Sequence, residues 1–382
     1  MSENGFKLRL IKPSFDSALN EVIVELEASR RLVLRGDTPA PIFFQLKEIF
    51  HLLESLGSAR IEGNHTTLAD YIETKVSKEV DSPEEDIQEI QNIEAALAFV
   101  DEEVSTGYEI THSFIKELHQ LTVLNLSINQ EGDRTPGKYR SGNVRIAGSK
   151  HTPPDSLQVQ EHMDEILKFV NSEDKPIYDL MKVALAHHRF AWAHPFTNGN
   201  GRVVRLFTYA LLLKFGFEVQ VGGRVLNPTA VFCNDRERYY EMLEKADRGT
   251  DEGLEEWTTY ALSGIKHELS KVDKLTRHDY LKSQILYPAI TEAIQKGLIS
   301  KDEDKILRFA ADIGQFKAND LKEMLPQLTP RQITYQITKL NEARMIRPVR
   351  ENARTYMIDF TNSVLIRGVM KSLEKEGFTS SL

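Results

Sequence analysis

A mainly helical fold is predicted for this chain, with one short β-hairpin in its middle and a small strand pair near its C terminus. Three observations predict it. Apolar residues recur at helical spacing in the segments 41–62, 89–103, 178–193 and 202–215. Val144-Arg145-Ile146-Ala147 instead alternates apolar and polar residues between glycine-bearing turns, which is the two-residue period of a strand. From Asp304 onward the chain reads as helix, helix, turn, helix and strand pair.

At 382 residues the chain is too long for one ordinary domain. It divides into a helical region 1–110, a core 111–265, a linker helix 266–300 and a small domain 301–382. Charged residues make up 27% of the chain. No apolar run approaches the roughly 20 residues needed to span a bilayer. The N-terminal stretch MSENGFKLRLIKPSF lacks the apolar run of a secretory signal, and the single cysteine, Cys233, cannot form an intrachain disulfide. A cytoplasmic location is expected. The net charge of −9 argues against bulk nucleic-acid binding, although an average hides local patches.

The first informative helix is Pro41 to Glu62, which stops at Gly63-Asn64, a pair suited to a helix C terminus. Ser58 and Glu62 are four apart and share one face of its last turn. By itself this spacing usually marks a solvated helix end. Glu89 to Glu103 reads as another amphipathic helix that packs on the core.

The densest chemistry lies in His194-Pro-Phe-Thr-Asn-Gly-Asn-Gly-Arg-Val-Val-Arg205. The helix Tyr178 to Ala193 should deliver His194 into a cleft, and Pro195 ends it. Gly199-Asn200-Gly201 lets successive backbone N–H groups converge on one point, a concavity suited to an anion. The helix that follows adds its N-terminal dipole, and Arg202 and Arg205 sit three apart on one face of its first turns. A histidine beside such a nest is placed to take a proton from a hydroxyl while the phosphoryl group under attack is held, so the reaction class is nucleotidyl or phosphoryl transfer. Alone, Gly-Asn-Gly is often a plain turn and a helix-terminal histidine is often a cap.

Beyond the core, residues 227–257 carry Phe232, Asn234, Arg238, Tyr239, Tyr240 and Leu243 on ordinary packing helices. The stretch 263–300 is helical and charged. In the small domain Thr329 is a helix N-cap with Pro330 in the first helical position. Between Arg331 and Arg354 the positive residues Arg331, Lys339, Arg344, Arg347, Arg350 and Arg354 outnumber Glu342 and Glu351. Arg331, Gln332 and Tyr335 near the start of this third helix are placed to enter a major groove. The element order resembles a winged helix domain, a module that binds DNA in some proteins and partner proteins in others.

The string at His194, Phe196, Gly199, Asn200, Gly201, Arg202 and Arg205 resembles the signature of the Fic family, H-x-F-x-[DE]-G-N-G-R-x-x-R. The resemblance implies a Fic-type helical core that moves AMP from ATP to a Ser, Thr or Tyr hydroxyl of a protein. His194 would be the base and Phe196 the anchor of the loop. Asn200 and the nest amides would hold the α- and β-phosphates, Arg202 the β-phosphate and Arg205 the γ-phosphate. ATP as substrate and Mg2+ follow from the same resemblance. Asn198 stands where the family has Asp or Glu to hold the metal, and a neutral carbonyl is a weaker ligand for a hard cation.

Beside this signature, Ser58, Glu62 and Gly63 look like the family's inhibitory segment, in which the glutamate pairs with the second motif arginine, here Arg205. The charge argument is independent of the name, since a triphosphate must displace a carboxylate held on a guanidinium. Val144, Arg145, Ile146 and Ala147 look like the family's flap, a hairpin edge that takes the target as an added strand, preceded by Gly137, Tyr139 and Arg140. Asn234 and Tyr240 are expected to border the adenine. The rival expectations are a nucleotide-sensing regulator with a degenerate site, and removal of AMP from a modified protein. The expected partners are a protein bearing a hydroxyl side chain, the chain itself as a substrate, a second copy in a homodimer, and DNA at Arg331–Arg354, with no membrane.

Overall fold

The computed structural model describes residues 6–31, 37–76, 84–146, 148–217, 231–361 and 364–378. The fold is mainly helical. In chain order the helices are α1 (Ala18–Arg31), α2 (Ala40–Glu62), α3 (Leu68–Val76), α4 (Glu85–Glu103), α5 (His112–Thr122), α6 (Val159–Asn171), α7 (Asp179–Ala193), α8 (Asn200–Lys214), α9 (Val231–Asn234), α10 (Arg236–Ala246) and α11 (Asp251–Thr276). There follow α12 (His278–Tyr280), a π-helical turn (Leu281–Leu286), α13 (Tyr287–Gln295), α14 (Lys301–Ile313), β1 (Phe316–Lys317), α15 (Leu321–Met324), α16 (Pro330–Glu342), β2 (Ile346–Pro348), β3 (Thr355–Ile358) and α17 (Leu365–Lys375). Among the described residues no helix is long and apolar enough to cross a membrane.

The chain divides into two compact units, one of residues 1–33, 51–66 and 80–269, the other of 34–50, 67–79 and 270–382. In the first, α7 and α8 pack on each other, α6 covers α7, and α4 and α5 cover α8. Both α7 and α8 are buried along nearly their whole length, because apolar residues surround them rather than lining one stripe. The polar groups inside are paired. Trp257 of α11 donates its indole N–H to the Ala184 carbonyl at 2.7 Å, and His187 bridges Thr208 Oγ1 at 2.6 Å and Tyr239 Oη at 2.8 Å. These bonds fix the two helices whose facing ends carry the motif.

In the second unit β3 pairs antiparallel with both β1 and β2, giving the order β1-β3-β2. The strand pair expected around Glu351-Asn352 is β2 and β3, with Asn352 turning the chain at φ 61°. Thr329 caps α16 by accepting the Gln332 N–H, Pro330 occupies the first turn, and the Gln332 side chain accepts the Thr329 N–H in return. Gln332 is thus engaged in its own cap. Tyr335 remains 65% exposed on α16, and Lys339 pairs with Glu303 of α14 at 2.5 Å.

The hairpin expected at Val144-Arg145-Ile146-Ala147 is not seen among the described residues. Residues 143–146 carry no strand pairing, and Ala147 lies outside the described residues. A turn is closed by the Ser149 N–H on the Ile146 carbonyl at 3.2 Å. The physical reason lies at the base of the segment. Arg140 donates to the Gly142 carbonyl at 3.1 Å and to the Pro154 carbonyl at 2.6 Å, so a guanidinium joins the two arms where ladder bonds would otherwise do so. Pro153 and Pro154 bring no N–H to a ladder. Val144 and Ile146 are half-buried and Arg145 exposed, so the alternation reports which way side chains face without reporting a partner strand.

Candidate functional site

Helix α7 stops at Ala193 because His194 takes the left-handed conformation, φ 48° and ψ 61°, and Pro195 has no N–H to continue the ladder. A non-glycine residue there costs about 1–2 kcal/mol and persists where neighbours hold it. Two groups do so. The His194 N–H caps the Phe190 carbonyl at 3.0 Å, and the His194 carbonyl accepts from Arg140 Nε at 2.8 Å. The Arg140 N–H also bonds the Pro195 carbonyl at 2.9 Å. Burial lowers the His194 imidazole to a pKa of about 4, with Arg140 and His151 acting in the same direction and the Ala191 backbone and Glu62 opposing. It is neutral at pH 7, the form that accepts a proton.

The loop that follows is held from inside. Phe196 is fully buried and lies flat on the His119 ring, 3.8 Å between centroids and 4° between planes. The Gly137 N–H donates to His119 Nδ1 at 3.0 Å, which leaves Nε2 to donate to the Asn198 carbonyl at 3.2 Å. Asn200 closes the loop on itself, its Oδ1 accepting the Phe196 N–H and its Nδ2 donating to the Phe196 carbonyl, both at 2.9 Å. The Asn200 amide, expected on the phosphates, is therefore committed to loop geometry. What faces outward is backbone. Gly199 turns at φ 74°, and among the described residues the N–H groups of Asn200, Gly201 and Arg202 have no protein acceptor. These are the orphan donors of the first turn of α8, where an anion is favoured.

A carboxylate already sits there. Arg205 Nη2 donates to Glu62 Oε1 at 2.8 Å and to the Ser58 carbonyl at 2.9 Å, while its Nε donates to Ser58 Oγ at 2.8 Å. Glu62 Oε1 also presses on Gly201, where a Cβ would lie only 2.2 Å from it. Burial alone would raise the Glu62 pKa, but Arg205 and Arg202 outweigh it and hold the carboxylate below its ordinary value. Arg205 is correspondingly raised, its burial outweighed by Glu62. Ser58 and Glu62 share one helix face, as their spacing of four predicts, and α2 brings both to Arg205.

Arg202 is fully buried and has two acidic partners that the sequence did not announce. Its Nη2 donates to Glu131 Oε2 at 2.7 Å and to the Glu131 carbonyl at 2.9 Å. Its Nη1 lies 2.9 Å from Glu89 Oε1 but off the hydrogen-bond axis, so this pair is Coulombic. Burial pushes the Glu89 carboxyl up to about 7 against the pull of Arg202 and Asn64. Glu131 is raised by the same cause.

Asn198 does not fit a magnesium ligand. Its Nδ2 donates to the carbonyls of Gln130 at 2.9 Å and Gly132 at 3.3 Å, and its Oδ1 accepts the Gly199 N–H at 2.7 Å. The neighbouring carboxylate, Asp133, takes the backbone N–H groups of Asn198 at 3.1 Å and Thr135 at 2.8 Å. Among the described residues no cluster of three metal-ligating side chains occurs. Of the residues expected near the adenine, the side chain of Asn234 lies outside the described residues. Tyr240 is 43% exposed, packs on Tyr239 at 5.4 Å and carries the Arg236 guanidinium 5.6 Å above its ring.

The site so assembled holds a neutral imidazole, unsatisfied backbone donors and two buried guanidinium groups, each neutralised by glutamate. Residues 109–212 match the Fic/DOC family. A protein adenylyltransferase Fic of Nematostella vectensis is 32% identical over 197 residues, 50% of this chain and 42% of that protein. One of Drosophila melanogaster is 30% identical over 203 residues, 52% of this chain and 37% of that protein. The match spans less than half the length of these relatives. Among solved structures, the fold resembles a Fic family protein from Desulfovibrio desulfuricans, with TM-score 0.55 and 19% identity over 93% of this chain and 98% of that one. A Fic domain containing signaling protein from Bacteroides thetaiotaomicron follows, with TM-score 0.51 and 18% identity over 68% of this chain and 98% of that one.

Proposed function

With residues 109–212 a Fic/DOC domain, we propose that this chain transfers AMP from ATP to a Ser, Thr or Tyr hydroxyl of a protein and that Glu62 restrains the transfer. The observation that carries the reading is the Glu62 carboxylate seated on Arg205 and against Gly201, an anion already in the place of an anion.

In the reaction the target hydroxyl oxygen forms a bond to the α-phosphorus, its proton passes to the His194 imidazole, and pyrophosphate leaves with the electron pair of the broken P–O bond. The N–H groups of Asn200, Gly201 and Arg202 and the guanidinium groups receive the charge on the phosphates. Phosphates arriving beside His194 raise its proton affinity from the low value of the empty site. Magnesium is part of this proposal as an ion carried by the triphosphate, because Asn198 offers no carboxylate. A carboxylate locked on a buried arginine should hold back nucleotide by about 2–4 kcal/mol. The segment 143–146, which carries no strand pairing of its own, would take the target chain by backbone pairing.

Intact-mass analysis after incubation with ATP and magnesium tests the reading. A gain of one AMP in Glu62→Gly, little in wild type, and none in Glu62→Gly with His194→Ala is expected. Equal labelling of wild type and Glu62→Gly would sink the brake, and labelling that survives His194→Ala would sink the base.

A second reading, a nucleotide-sensing regulator, is favoured by Asn198 and by the C-terminal sheet with α16, which we read as a winged helix. Exposed Arg331 and Tyr335 would then contact DNA. It predicts salt-sensitive retention of a duplex that Arg331→Ala weakens, with no AMP transfer in any variant. Removal of AMP by the same site, with Glu62 orienting water, would appear as loss of label from a modified target that requires Glu62.

A further inference from the structure

The turn that ends α2 reaches both motif arginines, one directly and one through a relay. Glu62 takes Arg205. Two residues on, buried Asn64 donates its Nδ2 to Glu89 Oε2 at 2.8 Å and to the Asp86 carbonyl at 2.8 Å, while its Oδ1 accepts the Thr66 N–H at 2.9 Å. Every polar group of that amide is used, so Asn64 fixes the turn to α4 as well as fixing Glu89. The other oxygen of Glu89 faces Arg202 Nη1 at 2.9 Å. Glu89 is 2% exposed and Arg202 fully buried, so water screens this pair little. Among the described residues Nε and Nη1 of Arg202 have no hydrogen-bond partner, so the guanidinium is held by charge there and is bonded through Nη2, to Glu131. Glu131 sits in the loop after α5 with a third of its side chain exposed.

From this geometry we propose that Glu89 is a second restraining carboxylate, which holds Arg202 away from nucleotide phosphates, and that Asn64 is the positioning residue that ties it to the Glu62 turn. The proposal rests on the nucleotide reading of the site. Three acidic side chains, Glu62, Glu89 and Glu131, then face two guanidinium groups, so the positive charge of the seat is already matched before any phosphate arrives. One displacement of the 62–64 turn loosens both arginines together. Removing Glu62 alone leaves Arg202 engaged, so Glu62→Gly is only a partial release.

The test is calorimetric binding of ATP, ADP and AMP to Glu62→Gly and to Glu62→Gly with Glu89→Gln. Glutamine keeps the shape and the bond with Asn64 but drops the charge. ATP and ADP should bind about tenfold more tightly in the double variant while AMP, which has no β-phosphate, is unchanged. Unchanged or weaker ATP and ADP binding overturns the proposal, as does an equal gain for AMP. Should the double variant not fold, Glu62→Gly with Asn64→Ala serves, since it keeps Glu89 and Glu131 and cuts the tie to Glu89 together with the bonds to Asp86 and Thr66. It should tighten ATP and ADP by about threefold with AMP unchanged, and no change overturns the proposal. If no variant binds ATP or ADP, the nucleotide reading falls and this inference with it. If Glu62→Gly binds ATP and Glu89→Gln adds nothing, only the second restraint falls.

Discussion

The motif loop and the flap segment share one residue, Arg140, and are otherwise built in opposite ways. The loop 194–205 is held by His119, Asp133 and Asn200 and its arginines are engaged by Ser58, Glu62, Glu89 and Glu131, while the N–H groups of Asn200, Gly201 and Arg202 are left without a protein acceptor among the described residues. The segment 141–154 is gripped at its base and bears no strand pairing above it among the described residues. On the proposed function, the difference teaches how a two-substrate site would divide its work. A nucleotide brings charge that must be met at fixed points, so its seat is built in advance and stoppered. An extended protein segment brings its own backbone donors and acceptors, so the edge that meets it is left open.

The largest test of this contrast is removal of the base. His194→Ala in the Glu62→Gly background should lower AMP transfer by about 10²–10⁴-fold while ATP affinity stays the same, because the imidazole serves the hydroxyl and the phosphates have other donors. Single-turnover labelling with a parallel ATP titration measures both. A matching loss of ATP affinity would mean that His194 belongs to the nucleotide seat and that the two regions are not separable.

Next in size is Arg140→Ala. Cutting this guanidinium frees the arms at Gly142 and Pro154 and removes the bond to the His194 carbonyl, so transfer to a protein or peptide acceptor should fall by about tenfold or more. ATP affinity should hold. An acceptor series that loses ATP affinity and transfer in proportion would show that the flap base supports the nucleotide seat, against the contrast drawn above.

A smaller effect separates the two regions by pH. Half-buried His194 loses its proton far below the ordinary histidine range, at about 4. The kcat/KM for transfer by Glu62→Gly should therefore stay level from pH 8 down to about 5.5 and fall only at lower pH, whereas an ordinary histidine would bend the profile near 6.5. The sign carries to stability as well. The folded pKa is depressed, so this contribution is complete above the unfolded value near 6.5 and is lost as pH falls toward 4. A profile that bends near 6.5 would place His194 in water rather than in the pocket.

Legibility followed sequence separation. Ser58 and Glu62 could be read as neighbours because helical phase puts residues four apart on one face, and the motif could be read because its parts are contiguous. The partners of Arg202 could not be read, because Glu131 lies 71 positions away and Glu89 farther still, and only the packing of α4, α5 and α8 brings them in. His119 and Asp133 were missed for the same reason, each an unremarkable residue until Phe196 and Asn198 come to rest on it. The hairpin was not legible for another reason. Alternation of apolar and polar residues fixes which side chains face inward, and a hairpin also needs a partner strand, a place that Arg140 and two prolines take.

The smallest predicted effect bears on the one motif position that departs from the family pattern. Asn198→Asp is isosteric, yet its oxygen would face the carbonyls of Gln130 and Gly132 that the amide now bonds at 2.9 and 3.3 Å. Two donors would be exchanged for repulsion in a half-exposed loop, a cost of about 1–2 kcal/mol and a drop in Tm of roughly 2–4 °C. Thermal melts without magnesium measure it. An unchanged Tm would mean that the amide is not what holds this loop, and Asn198 would then be a missing ligand rather than a built strut. The predicted drop would put Asn198 with Asn200 and His119 among the residues that make the nucleotide seat rigid in advance, which is the side of the contrast where a neutral, fully bonded amide belongs.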